Sequence, residues 1–148
     1  MINHRLIWYL ESNNLYSESQ CGFRQNRSTV DHLVRLETFI RDAFIRKEHA
    51  VGIFFDLEKA YDTTWKHGIL KDLSKLGLKG HLPIFISNFL SERTFRVCVG
   101  STFSDEFNQE EGVPQGSILT TTLFNIKIND IVKEVNTGVE NSLYIDDF

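Results

Sequence analysis

The feature that most constrains this chain is a pair of adjacent aspartates inside an otherwise apolar run, Tyr144-Ile145-Asp146-Asp147-Phe148. Such a run reads as a strand or a tight hairpin with at least one packed side. Carboxylates held there are costly unless a partner charge or a bound cation compensates them. A divalent metal is the simplest compensation. A matching half-site lies upstream in Val51-Gly52-Ile53-Phe54-Phe55-Asp56, an apolar run leading into another aspartate. Taken singly, Asp146-Asp147 reads better as a turn and Asp56 as a strand terminator. Taken together, each preceded by an apolar strand, they favour a shared metal site in which the carboxylates of Asp56 and Asp146 come close.

Between these two points the chain alternates helical and extended patterns. Arg5 to Glu11 suggests one or two helical turns, broken at Asn13-Asn14. A loop from Gln20 to Thr29 ends in a helix start, with Ser28 as N-cap and Asp31 three residues on. Val30, Leu33, Val34, Leu36, Ile40 and Phe44 then recur at helical spacing, which predicts a helix over 29–47. Val51 to Leu57 is apolar on both faces and predicts a central strand. Helices follow from about Trp65 to Leu76, ended by Gly77, and after Gly80 and Pro83. Phe95, Val97 and Val99 alternate with Arg96 and Cys98 as a half-buried strand, with an antiparallel partner over 103–110. Gly112 to Ser117 is a loop, 118–135 a helix, 136–138 a turn, and 142–145 a last strand. Interleaved helices and strands with at least one hairpin predict an α+β or split α/β layer arrangement.

At 148 residues the length suits one domain with a substantial core. The net charge of −4 is uneven: residues 1–50 carry +1 and residues 51–148 carry −5. The acidic excess therefore lies in the part that holds the suspected metal site, so bulk charge does not exclude a nucleic-acid partner. No apolar run is long enough to span a bilayer and no signal peptide opens the chain, which predicts an intracellular protein, cytoplasmic or nuclear, with no membrane partner. Cys21 and Cys98 have no metal-ligand spacing and read as free thiols.

Two-metal phosphoryl transfer needs carboxylates that hold divalent cations about 4 Å apart. Asp56, Asp146 and Asp147 are the candidates, as catalytic residues and as metal ligands. Tyr61 lies where the chain leaves the Asp56 strand. It either closes the floor of a nucleotide pocket, excluding a ribose 2′-hydroxyl, or simply packs in the core. Gly112-Val113-Pro114-Gln115-Gly116-Ser117 allows close backbone approach to a flat ligand, and Gln115 can hydrogen-bond a base or sugar. The same stretch also reads as a turn before a helix capped by Ser117. Arg24 and Arg27 are candidate contacts to a nucleic-acid backbone, or solvated loop arginines.

These motifs form an ordered set: Phe54-Phe55-Asp56-Leu57-Glu58-Lys59-Ala60-Tyr61-Asp62, then Gly112 to Ser117, then Tyr144-Ile145-Asp146-Asp147. The set resembles the core of a reverse transcriptase, closest to the non-LTR (LINE-type) retrotransposon enzymes and their jockey-like branch. Gly22-Phe23-Arg24 through Arg27-Ser28-Thr29, and Leu123-Phe124-Asn125-Ile126 with Ile128-Asn129-Asp130-Ile131, resemble further blocks of that family. The resemblance implies a right-hand polymerase palm with partial fingers, an antiparallel sheet packed on helices, and an end before the thumb. On that reading residues 1–50 are fingers or palm-adjacent and 51–148 are palm. It implies an RNA-directed DNA polymerase using Mg2+, with Mn2+ as a substitute, and RNA template, DNA primer and dNTPs as partners. Asp56, Asp146 and Asp147 map onto the acidic metal site, Tyr61 onto the steric gate, and Gln115-Gly116 onto the segment beside the nucleotide. Asp62 belongs to the block as a local orienting residue. Ile145 replaces the commoner Ala or Val, and Thr120-Thr121-Thr122 replaces a frequent Ser-Pro-Leu, which predicts a looser helix start. The missing family segments predict that the 148-residue chain alone is inactive, and the alternative to a polymerase fragment is a retroelement remnant acting at most as a nucleic-acid-binding module.

Overall fold

A computed structural model describes residues 1–135 and 139–147. Helices α1 (Ile2–Ser12), α2 (Thr29–Arg46), α3 (Lys66–Lys75) and α4 (His81–Leu90) come first. Strands β1 (Thr94–Phe95), β2 (Cys98–Val99), β3 (Thr102–Phe103) and β4 (Phe107–Asn108) precede α5 (Ile118–Ile128) and a 3-10 turn at Ile131–Glu134.

The centre is α5. Leu119, Leu123, Phe124, Ile126 and Ile128 are buried, and so are Thr120, Thr122 and Asn125, so this helix is enclosed on nearly every side. A helix with so little polar surface is stable only inside other elements. Helices α1 and α3 pack directly on it and α4 packs on α3, through buried pairs spaced four residues apart, which share one helical face. They are Leu6 and Leu10 of α1, Ile69 and Leu73 of α3, and Ile86 and Leu90 of α4. Residues on both sides of position 50 thus contribute to one core. A second cluster joins Ala60, Phe124, Ile128 and Leu143, tying the turn that bears Tyr61 and the C-terminal segment to the far side of α5.

Several expected elements differ. Residues 51–57 form no strand: Val51, Ile53 and Phe54 are 79%, 70% and 82% exposed. Apolar β-branched and aromatic residues favour extension, but a strand exists only where a neighbour completes its ladder. Residues 51–57 belong to neither of the two described sheets. Helix α2 begins as the sequence predicts, the Ser28 N–H donating to the Asp31 carboxylate at 2.6 Å. Its apolar stripe is nevertheless open, with Val30, Leu33 and Phe44 exposed and only Ala43 buried.

The expected half-buried strand and its partner form a hairpin exposed on both faces, rather than a sheet packed on helices. β1 pairs with β4 (Thr94 opposite Asn108) and β2 with β3 (Cys98 opposite Phe103), both antiparallel. The return strand has one more residue between its ladders than the outgoing strand, a bulge bridged by the Ser104 hydroxyl on the Val97 amide at 2.9 Å. The predicted helix over 118–135 stops at Ile128, because the buried Asn129 side chain is taken by the loop after α1. It accepts from the Ser17 amide at 2.6 Å and donates to the Leu15 carbonyl at 2.9 Å. The helix start is tight, not loose: Thr120 Oγ1 donates to the Pro114 carbonyl at 2.6 Å and Thr121 Oγ1 to that of Ile118 at 2.9 Å. The turn expected at 136–138 and the end of the chain at Phe148 lie outside the described residues.

Candidate active site around Tyr61 and the aspartate hairpin

The C-terminal segment is a hairpin turn rather than a full strand. Tyr144 and Asp147 exchange both backbone hydrogen bonds, at 2.8 and 3.1 Å, placing Ile145 and Asp146 at the tip. Ile145 has φ +64° while Asp146 is not left-handed, the pattern of a type II′ turn, whose first central position normally takes glycine. The turn leaves neither aspartate of the pair buried. Asp146 is half-buried and Asp147 exposed.

Facing the hairpin, Tyr61 packs its ring against Phe124 at a centroid distance of 4.8 Å. Burial, with the negative charge of Asp146 nearby, raises the Tyr61 phenol above its ordinary pKa. The Tyr61 carbonyl accepts from the Val113 amide at 2.8 Å, and the Thr64 carbonyl accepts from Gly112 at 3.0 Å. This two-point contact lays the 112–116 loop on the 61–64 turn. Only glycine permits it at position 112: φ is +80°, and a Cβ would stand 2.5 Å from the Asp62 carbonyl oxygen. Gln115 in turn donates through Nε2 to the Asp62 carboxylate at 2.9 Å.

A cleft of about 340 Å³ results, lined by Tyr61, Gln115, Gly116, Ser117, Thr120 and Thr121. Three of the sequence-predicted residues, Tyr61, Gln115 and Gly116, are thereby brought together. Asp56 is placed on the exposed 51–59 segment. Among the described residues, no three His, Cys, Asp or Glu side chains converge on a point that could hold a metal ion. Residues 51–57 are not in a described strand, so the expected pair of strands is absent among the described residues. The donor chemistry nonetheless suits a hard divalent cation: carboxylate oxygens, accessible, and engaged in no ion pair among the described residues.

The two arginines diverge. Arg24 directs its guanidinium inward, pairing with Glu11 at 2.7 and 2.9 Å, bonding the Ser17 and Gln20 carbonyls, and lying 5.0 Å from the Tyr16 ring centroid. Its charge is spent on joining α1 to the following loop. Arg27 stays at the surface of that loop, half-buried.

Sequence reasoning missed the residues that support the hairpin from behind. Gln20 is fully buried and bonds both polar backbone atoms of Ile145. His32 of α2 contacts the Ser142 hydroxyl through Nδ1 and meets the Tyr144 ring edge-on at 5.5 Å. Asn125 of α5 holds the Gly22 carbonyl at 2.7 Å. No periodicity marks such residues, since the positive φ that calls for them is invisible in the sequence.

The family profile described as "Reverse transcriptase (RNA-dependent DNA polymerase)" matches residues 1–148. The chain is 34% identical over 131 residues to the RNA-directed DNA polymerase from mobile element jockey of Drosophila melanogaster. It is 31% identical over 131 residues to the probable RNA-directed DNA polymerase from transposon BS of the same organism. Each alignment takes in 88% of this chain and 14% of the relative, so the chain spans about one seventh of the length of these curated relatives. A more distant match, 25% over 108 residues, is to the Pol polyprotein from type-1 retrotransposable element R2 of Popillia japonica, covering 73% of this chain and 18% of the relative. No helix among the described residues is long and apolar enough to cross a membrane. With a profile match running from the first residue to the last, the chain belongs to the reverse transcriptase family.

Proposed function

We propose that this chain carries the nucleotide-binding and metal-binding part of an RNA-directed DNA polymerase of a mobile element, acting on an RNA template, a DNA primer and dNTPs. The observation that carries the reading is the shared cleft of Tyr61, Gln115 and Gly116, with the Asp146 carboxylate near enough to act on the Tyr61 phenol. Asp56, Asp146 and Asp147 are the residues that would hold Mg2+ or Mn2+, which when bound neutralises triphosphate charge and activates the primer hydroxyl. Tyr61 forms the floor of the sugar site and rejects a 2′-hydroxyl by contact, its ring fixed by Phe124. Gln115, oriented by Asp62, offers its remaining amide groups to the base or sugar, while the Gly116 backbone (φ +85°) lies open to the ligand. Arg27 is the remaining candidate contact to a nucleic-acid backbone.

Titration of the chain with dCTP and with CTP in the presence of Mn2+ tests the assignment. dCTP should bind more tightly, and Tyr61→Ala should narrow the preference about tenfold, roughly the discrimination that one steric contact supplies. Equal binding of both nucleotides by the unmutated chain would contradict the steric role.

A second reading is favoured by the absence, among the described residues, of three converging metal-ligating side chains. On that reading the 148-residue chain binds nucleic acid without copying it. It predicts no primer extension on a poly(rA) template with Mg2+ or Mn2+. Template-dependent incorporation that Asp146→Asn abolishes would overturn it.

A further inference from the structure

The hairpin tip places a β-branched residue where glycine is expected, and something must hold it there. Ile145 at φ +64° is strained, since its Cβ crowds the backbone in the left-handed region. Left alone, the turn would relax, and the carboxylate of the next residue would swing with it. The support comes from Gln20, 125 residues away and fully buried.

Its side-chain amide acts as a short piece of strand. Oε1 accepts from the Ile145 N–H at 3.1 Å and from the Gly22 N–H at 2.7 Å, and Nε2 faces the Ile145 carbonyl at 3.4 Å. Two donors on one side and an acceptor on the other fix which end of the amide is oxygen. The main chain reinforces the grip: Leu143 donates to Ser19 at 2.9 Å and Cys21 donates to Leu143 at 3.0 Å, a parallel bridge alongside Gln20. Gly22 completes it by absence, because a Cβ there would lie 2.5 Å from Ile145 Cγ1 and 2.6 Å from its nitrogen. Asn125 fastens this loop to α5 through the Gly22 carbonyl.

We infer that Gln20 is a positioning residue: it holds Ile145 in the left-handed conformation and so sets the direction of the Asp146 carboxylate. The inference rests on the reading of Asp146 as a metal ligand, and it adds a residue that makes no contact with metal or substrate. Gln20→Leu keeps the volume and removes all three side-chain bonds. Ile145→Gly removes the strain that those bonds oppose.

Mn2+ affinity of the 148-residue chain, read by paramagnetic resonance of free Mn2+, separates the cases. Gln20→Leu should weaken binding about tenfold, and adding Ile145→Gly should recover most of that loss without restoring a single Gln20 bond. A merely structural Gln20 would show no such rescue, and a Gln20→Leu chain that stays weak beside Ile145→Gly overturns the inference. So does a Gln20→Leu chain that binds normally while Asp146→Asn does not. If Asp146→Asn itself binds as tightly as the unmutated chain, the functional reading fails and this inference falls with it. Should Gln20→Leu not fold, amide exchange in the unmutated chain decides: a slowly exchanging Ile145 N–H supports the clamp, and exchange as fast as that of exposed Glu140 overturns it.

Discussion

At the scale of single residues, the site depends on backbone geometry at least as much as on its acidic groups. Gly112 is the sharpest case, since the cleft exists only because the 112–116 loop lies directly on Asp62. Gly112→Ala should destabilise the fold by about 2–3 kcal/mol, combining left-handed strain with a clash against backbone that has no room to retreat. Urea denaturation measures it, and a loss below about 0.5 kcal/mol would mean the loop is not seated as described. The sequence shows Gly112 as part of a loop motif, but the reason for the glycine, a carbonyl oxygen from fifty residues upstream, is a tertiary fact. The same holds for Ile145. Its identity reads as an ordinary apolar residue in an apolar run, and only the structure reveals φ +64° and the Gln20 amide that sustains it. The candidate site's Asp, Tyr and Gln stand out in the sequence because chemistry restricts such residues; the buried Gln20 and Asn125 beside them do not, because a buried Gln or Asn has many ordinary uses.

At the scale of elements, the helices and the 94–108 hairpin are readable in the sequence while the 51–57 strand is not, for a physical reason. A helix closes its hydrogen bonds within itself, so the Ser28–Asp31 start, the Gly77 stop and the four-residue spacing in α3 and α4 carry most of the information. A strand is completed by another segment, and 51–57 belongs to neither described sheet. The helix α5 was found but overextended, because its end is set by Asn129 reaching for the loop at Leu15 and Ser17. The contact between α2 and the hairpin gives an element-scale prediction. Burial, then the positive charge of Arg35, outweigh Asp31 and lower the His32 pKa, so the folded chain keeps neutral an imidazole that the unfolded chain protonates. The stabilising difference is complete above the ordinary imidazole pKa of about 6.5 and declines as pH falls through it, until the lowered folded-state pKa is passed. Denaturation curves from about pH 7.5 to about pH 5.5 should show this decline, and His32→Asn should flatten it. An unchanged slope in His32→Asn would show that the ring is not buried against Ser142 and Tyr144.

At the scale of the whole molecule, one helical core and a smaller apolar cluster share α5, and the cleft lies where the two meet. The small cluster of Ala60, Phe124, Ile128 and Leu143 brings the Tyr61 turn beside the Asp146 hairpin from opposite ends of the sequence. Outside this region, the 51–57 segment and the stripe of α2 leave apolar surface uncovered by the described residues. Asp56 sits on that segment, and the central claim is the proposal that Asp56 and Asp146 serve one cation. A double-substitution cycle on Mn2+ affinity in the presence of dTTP tests this most directly. Two ligands of one metal are not independent, so Asp56→Asn and Asp146→Asn should each weaken binding, and the double variant should be little weaker than the worse single variant. Losses that simply add, or an Asp56→Asn chain that binds as tightly as the unmutated one, would contradict a shared site.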